Sequence, residues 1–276
     1  MHMQRKWNSG VLVSLLFTLL LTGCSSGGGN SDAPVVPAGT AEGLWTGTLV
    51  DEITGDTRTV KGAVLDDGTY WFLYSTVLDP TLIAGALQGD GSTQNGTFAP
   101  LNGQDFNNEL LRIIDPVTVT AHYVMQQNLS GTVTYPGGKT LTFTSTFDPE
   151  YNVVPVFVNV AGTYDGSVFG FPHTITVDPL GVITVTTTVG HQSSQSGIEL
   201  GCNFTGALVP RSHGNVYNIS FTASNTCIIA PLLLGETFTG VAFFDADPAP
   251  TKMYVLALHR RSSPLTPFVF PFTTNP

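Results

Sequence analysis

The chain has 276 residues, with 20 acidic and 10 basic side chains and a formal net charge of −10 at pH 7. The basic residues are few and scattered apart from Arg260-Arg261, so nucleic acid and anionic lipid surfaces would repel the protein and are excluded as partners. The acidic residues are also dispersed, which favours a solubilising charge over a store of cations. The length suits two domains of ordinary size, each with its own core.

The N-terminal segment has the pattern of an export signal. Arg5 and Lys6 precede an unbroken apolar run from Val11 to Leu21, which matches the basic and apolar regions of a secretory signal. A transmembrane anchor is the alternative, but a span needs about 20 apolar residues and this run is shorter. The small residues after the run also favour cleavage over retention.

The run ends in Leu21-Thr22-Gly23-Cys24, which resembles the lipobox of bacterial lipoproteins. The resemblance implies a signal peptide over residues 1–23, a diacylglycerol on the thiol of Cys24 and a further acyl chain, such as palmitate, on its amino group. Several acyl chains hold a protein firmly, whereas a single chain binds only marginally. Ser25 follows the cysteine, and in this family the absence of Asp there implies the outer membrane. We therefore expect a cell-envelope lipoprotein of the outer membrane, on its periplasmic or its surface face.

Residues 24–41 are predicted to be a flexible tether, because Ser, Gly, Asn and Pro dominate there and cannot bury a core. The folded part is predicted to begin near Glu42. A six-residue pattern then occurs twice, as Gly43-Leu44-Trp45-Thr46-Gly47-Thr48 and as Gly162-Thr163-Tyr164-Asp165-Gly166-Ser167. Each copy opens a series of short strands, which predicts two related domains, at 42–150 and 160–262, before a Pro- and Phe-rich tail at 263–276.

The first domain contains eight β-branched and aromatic runs that predict strands, and glycine-containing turns that predict hairpins between them. These runs are Leu44–Val50, Thr57–Leu65, Thr69–Thr76, Leu82–Gln88, Thr93–Phe98, Pro116–Met125, Leu129–Tyr135 and Thr140–Phe147. The turns are Asp66-Asp67-Gly68, Asp90-Gly91 and Pro136-Gly137-Gly138. Only Asp105–Ile114 is predicted to be helical.

The second domain contains seven similar runs. They are Gly162–Phe169, His173–Val177, Val182–Thr188, Gly201–Val209, Asn215–Thr222, Glu236–Asp245 and Lys252–His259. A short antiparallel domain removes its sheet edges most readily by closing into a barrel. The predicted fold is therefore all-β, with two small antiparallel up-and-down β-barrels in tandem.

Gly43-Leu44-Trp45 at the start of a predicted barrel resembles the G-x-W signature of lipocalins and their calycin relatives. In that family an arginine near the last strand packs on the tryptophan. Gly162, Tyr164 and Arg260 occupy the corresponding places in the second domain, whereas Thr140–Phe147 of the first domain contains no arginine. The resemblance implies lipocalin-like barrels. The paired-barrel layout also resembles surface lipoproteins that bind host proteins, without a motif that carries that activity.

The two remaining cysteines, Cys202 and Cys227, are predicted to form a disulfide, because export places them in an oxidising compartment. Such a bridge would contribute about 3 kcal/mol on the chain-entropy model. A catalytic or metal-binding pair is the alternative, but the spacing lacks C-x-x-C character and only His213 lies close in sequence.

The remaining polar residues do not form a known reactive motif. The histidines lack metal-binding spacing and are expected to be structural or solvated: His122, His173, His191, His213 and His259. Asp245 and Asp247 could chelate calcium but lack the surrounding loop pattern, so a polar turn is favoured. The serine-rich loop at 190–197 lacks the context of a nucleophile elbow. We therefore expect no metal, no cofactor and no catalysis.

Two aromatic segments are candidate binding faces. The first comprises Tyr70, Trp71, Phe72 and Tyr74 on a single predicted strand, so the rings point to both sides of the sheet. The outer rings either pack against the other domain or form a binding face. The second comprises Phe268, Phe270 and Phe272 in the tail, which could augment a partner's strand or fold back on its own barrel.

These observations predict a non-catalytic binding or envelope-interaction module that contacts the membrane through its lipid. Its partner would be an envelope or surface protein, or a small ligand. The alternatives are a structural lipoprotein that supports an envelope complex, a small-ligand carrier and a hydrolase. A sealed apolar barrel with an outer aromatic face would favour a protein partner, whereas an open mouth lined by polar groups would favour a small ligand.

Overall fold

A computed structural model describes residues 39–107, 109, 113–168, 171–187, 203–224, 235–245, 251–259 and 272–274. The chain from residue 37 onward belongs to one compact unit that contains both sheets. The strands of the first sheet are β1 (Gly43–Asp51), β2 (Thr57–Val64), β3 (Thr69–Ser75), β4 (Ile83–Gln94), β5 (Thr97–Asn107), β6 (Ile113–Pro116), β7 (Thr118–Val124), β8 (Asn128–Thr134) and β9 (Thr140–Asp148).

The first sheet closes into an eight-stranded antiparallel barrel. Neighbours in sequence pair as hairpins from β1 to β5 and from β7 to β9, and β9 returns to pair with β1. Closure occurs at β5, which pairs with β4 along its whole length and with β7 through Thr97 and Phe98. The short β6 continues the path of β7 and pairs with the end of β5. Burial alternates residue by residue in β7, as period-two strands with one face inside require.

The turn between β4 and β5 is Asn95-Gly96, where both residues have positive φ, at 50° and 77°. That pair of left-handed residues is the signature of a two-residue hairpin loop. The prediction of a hairpin at Asp90-Gly91 is wrong. These residues form a bulge within β4, because the Gly91 amide donates to the Gly68 carbonyl and the Asp90 amide donates to the Asn102 side chain.

The predicted helix over Asp105–Ile114 is also wrong. Asp105 to Asn107 end β5, and the backbone of Ile113 and Ile114 lies in β6. Both edges of this part of β5 have hydrogen-bonded partners, β4 on one side and β6 on the other. Tertiary strand pairing therefore overrides the local helical preference of the segment.

The second sheet follows a 3-10 turn at Pro149–Asn152 and the one-turn helix α1 at Phe157–Val160. It is a curled antiparallel half-barrel with sequential pairing throughout. Its strands are β10 (Gly162–Val168), β11 (Phe171–Val177), β12 (Val182–Thr187), β13 (Phe204–Pro210), β14 (Val216–Ala223), β15 (Thr237–Asp245) and β16 (Lys252–Leu258), followed by the short β17 (Phe272–Thr274) on β16. The prediction of an all-β chain with two antiparallel barrel domains is confirmed.

The repeated sequence pattern has the same structural role in both barrels. Trp45 is fully buried, and its indole N–H donates to the Ala41 carbonyl at 3.0 Å. Tyr164 is buried at the equivalent place, and its hydroxyl donates to the Val160 carbonyl at 2.8 Å. Each aromatic side chain therefore ties the strand to the segment four residues before it. This shared contact strengthens the inference of two related domains.

The two barrels are joined by their outer faces. Leu44, Trp71 and Phe106 on the outside of the first barrel belong to one buried cluster with Phe243 and Tyr254 on the outside of the second sheet. The Phe243 and Tyr254 rings stack at 5.2 Å within it. We call this contact the seam. It covers apolar outer surface that an isolated barrel would expose to water.

Lys61 lies at the edge of the seam and links the two sheets. Its ammonium group is 2.5 Å from Asp245 of β15 and 3.3 Å from Asp148 of β9, and it also lies over the Tyr254 ring. The side chains of the lysine and of both aspartates are at most 16 % exposed. Removal of the cation would take a favourable charge away from two largely buried carboxylates.

We expect Lys61→Ala to lower the free energy of unfolding by about 3 kcal/mol, because the variant loses the cation that lies closest to two largely buried carboxylates. Lys139→Ala is the matched control, since Lys139 pairs with Asp51 at 2.9 Å but is 52 % exposed. That control should cost less than about 1 kcal/mol. Urea unfolding measures both values, and equal costs for the two variants would contradict the role assigned to Lys61.

Candidate functional site

The interior of the first barrel is filled by side chains. The remaining cavity has a volume of only about 30 Å³, and its lining is apolar, with Tyr70, Phe72, Phe98 and Phe143 among the largest residues. Small-molecule sites usually have about 300–1,000 Å³. An apolar void of this size has room for about one water molecule and is too small for a ligand. The barrel interior is therefore a packed core.

One end of the first barrel carries a buried carboxylate between two tyrosines. Asp105 is 2 % exposed and accepts hydrogen bonds from the Tyr74 and Tyr135 hydroxyls, each at 2.7 Å. Burial raises the pKa of Asp105 above its ordinary value, although the two hydroxyls act in the opposite direction. Burial and the nearby carboxylate also raise the pKa values of both tyrosines well above their usual range.

Two cations lie over these tyrosine rings. Arg58 lies 5.7 Å from the Tyr74 ring centre, and Lys139 lies 5.8 Å from the Tyr135 ring centre. Arg58 also pairs with Glu109 at 2.9 Å and donates to the Ser75 carbonyl at 2.8 Å. A depression of about 190 Å³ opens at this end of the barrel. Both cations that line this depression already have acidic partners, Glu109 for Arg58 and Asp51 for Lys139. The network therefore braces this end of the barrel.

A larger groove lies where the barrels meet, at about 380 Å³. We call it the seam groove. One wall comes from the β2–β3 hairpin of the first barrel, and the other comes from the outer faces of β13, β14 and β15. The lining residues are Leu65, Asp67, Thr69, Trp71, Ala207, Val209, Arg211, Asn218, Ile219, Ser220, Thr239, Gly240 and Val241. This volume falls within the range of small-molecule sites.

Arg211 fixes the polar part of the seam groove. Its guanidinium donates to the Asn218 side chain at 2.7 Å and pairs with Asp66 and Asp67 of the first barrel. Burial opposes ionisation of Asp67, but hydrogen bonds from Thr69 and the charge of Arg211 outweigh it, so the pKa of Asp67 lies below its ordinary value. The two barrels therefore build this site together.

The first aromatic segment does not form an exposed face. Tyr70 and Tyr74 are buried inside the first barrel, and Phe72 packs against the same core. Trp71 points to the other side, where it belongs to the seam cluster and lines the seam groove with 7 % of its surface exposed. Of the two alternatives for the outward ring, the structure therefore favours packing between the barrels, with one edge of Trp71 left open to the groove.

Of the predicted signature residues, Gly43 and Gly162 begin β1 and β10, and Trp45 and Tyr164 are core residues. Several predicted site residues lie outside the described residues: Cys24, Arg260, Cys202, Cys227, Phe268 and Phe270. For Phe272 the backbone pairs with Val255. The disulfide between Cys202 and Cys227 stays a prediction.

The histidines have different surroundings. His122 is exposed, and His213 is 57 % exposed with its ring 3.3 Å from Glu42. His173 and His259 are buried, and His259 lies 2.7 Å from Glu236. Asp245 is an ion-pair partner of Lys61, whereas His191 and Asp247 lie outside the described residues. Within the described part of the chain, no group of three or more His, Cys, Asp or Glu residues could hold a metal ion.

Sequence reasoning missed the two polar networks. Asp105 fell in the segment predicted as helix, and Arg211 was one of a few scattered basic residues. The partners of Asp105 are 30 and 31 residues away in sequence, and Arg211 is 144 residues from Asp67. One sequence signal could have placed Asp105 in a strand. Asn95-Gly96 is typical of a two-residue hairpin loop, and the strand that follows such a loop extends through Asp105.

Comparisons with protein-family models, with curated proteins and with solved structures found no match to this chain. Among the residues described here, no helix has the length and apolar character needed to cross a membrane.

The Asp105 network predicts a specific pH dependence of stability. A raised pKa in the folded state means that this carboxyl stabilises the fold when protonated, and that the contribution is lost as pH rises from about 4 through the folded pKa. Asp105→Asn stays neutral and can still bond both tyrosines. We therefore expect the variant to gain stability relative to wild type over that interval, by about 1.4 kcal/mol for each unit of pKa shift.

Urea unfolding at a series of pH values measures this difference between the two proteins. Asp105→Ala is the comparison, because it removes the acceptor from both hydroxyls and should be destabilised at every pH. A difference between the Asn variant and wild type that does not change with pH would contradict the raised pKa of Asp105.

Proposed function

We propose that the protein is a lipid-anchored, non-catalytic binding module of the bacterial outer membrane, and that its ligand occupies the seam groove. The lipobox resemblance at Leu21-Thr22-Gly23-Cys24 supports the anchor. The choice of the seam groove as the binding site rests on its volume of about 380 Å³, compared with about 30 Å³ for the barrel cavity. The membrane is contacted through the lipid on Cys24.

The side chains of the groove favour binding over chemistry. Its charged side chains, Arg211 and the aspartates at positions 66 and 67, pair with one another across the seam and leave a net charge of −1. The polar groups that remain are hydroxyls and an amide, which suit recognition by hydrogen bonds and are weak acids and bases. The lining of the groove therefore suits ligand binding better than general acid–base catalysis.

The test compares the wild-type chain with Cys24→Ser and Ala207→Phe. The serine variant lacks the thiol that takes lipid, so it should leave the membrane fraction, and its N-terminal peptide should lack the mass of the acyl chains. Ala207 lines the groove and is exposed, so phenylalanine there should fill the groove without loss of folding. Thr205→Phe is the matched control, on the same face of β13 but outside the groove lining.

Each protein is purified from native envelope extract and analysed by native mass spectrometry. The proposal expects a bound species with wild type and with Thr205→Phe that is lost with Ala207→Phe. Membrane association of Cys24→Ser would overturn the anchor. Equal retention by both phenylalanine variants would overturn the seam site and would return attention to an outer-surface protein partner or a structural role.

A further inference from the structure

Among the described residues that line the seam groove, no cationic side chain is free to bind an anionic ligand. The two terminal nitrogens of Arg211 are engaged by Asn218 and by the aspartates at 66 and 67. The remaining nitrogen, Nε, is shielded from solvent and has no partner among the described residues. An anion would have to displace two carboxylates from the guanidinium, and it would meet the net charge of −1 that one arginine and two aspartates leave. That exchange gives up charge-assisted hydrogen bonds.

The uncharged lining alternates between apolar and hydrogen-bonding groups. Trp71, Val209 and Val241 supply apolar surface, and Val209 is 56 % exposed. The hydroxyls of Ser220 and Thr239 lie beside them on adjacent strands. A wholly apolar ligand would bury these hydroxyls without partners, at a cost of about 1–3 kcal/mol for each group.

We propose that the seam groove binds a short, uncharged saccharide, a proposal that rests on the function proposed above. A pyranose ring presents an apolar C–H face for the exposed edge of Trp71 and a rim of hydroxyls for Ser220, Thr239 and Asn218. The groove volume, near the lower end of the usual range for small-molecule sites, suits one or two rings. The ligand class is thus set by the neutralised arginine and by the mixed lining.

The chain carries its own internal control for this proposal. It contains three tryptophans. Trp71 lines the groove, whereas Trp45 is fully buried inside the first barrel. The full chain is labelled with 5-fluorotryptophan, purified in detergent, and its fluorine resonances are assigned with Trp71→Phe and Trp45→Phe. Maltose, cellobiose and N,N′-diacetylchitobiose are then titrated separately while the fluorine spectrum is recorded.

At least one disaccharide should shift the Trp71 resonance saturably and leave the Trp45 resonance in place. Ala207→Phe should weaken that response by about tenfold or more, because the new ring occupies the groove, whereas Thr205→Phe should retain the wild-type affinity. The proposal is overturned if none of the three sugars shifts Trp71, or if the two phenylalanine variants respond alike. If the sugars fail while Ala207→Phe still releases a species captured from envelope extract, only the saccharide assignment falls and the seam site stands.

Discussion

The contact between the outer faces of the two barrels is the constraint on which the rest of the structure depends. Burial of apolar surface contributes about 25 cal/mol per Å², and the seam removes Trp71, Phe106, Phe243 and Tyr254 from water without using either barrel interior. Lys61 and Arg211 then pair with carboxylates of the opposite barrel. The polar links set the register of one barrel on the other, and the apolar cluster supplies most of the attraction.

This arrangement decides where a ligand can bind. The first barrel is packed to the centre, and the network around Asp105 braces one of its ends. The sheet faces that meet at the seam pack against each other, except along the groove, where the β2–β3 hairpin separates from β13, β14 and β15. In the proposed function the binding surface therefore arises from the joining of the two barrels, whereas the first barrel alone offers only a filled core.

Local sequence was sufficient for most of the strands, because alternation of apolar and polar residues follows the period of two that a half-buried strand requires. The predicted strand Thr93–Phe98 was wrong, since the turn at Asn95-Gly96 divides it between β4 and β5. Local sequence was also sufficient for turns such as Asp66-Asp67-Gly68, where Gly68 has a φ of 85°. It failed at Asp105–Ile114, where pairing with β4 and β6 decides the conformation. The rings at Tyr70 and Trp71 indicated that one points into the barrel and the other out of it, but no local pattern places Trp71 in one buried cluster with Phe243, since that depends on how whole sheets meet.

Hydrogen exchange of the full chain in low concentrations of urea tests most directly whether the seam joins the barrels into one unit. Amides in β2 and β3 of the first barrel and in β14, β15 and β16 of the second should exchange with the same free energy of opening and the same dependence on urea, because opening either sheet breaks the shared cluster. Two groups of amides with separate opening free energies, one for each barrel, would contradict a seam that holds the molecule together.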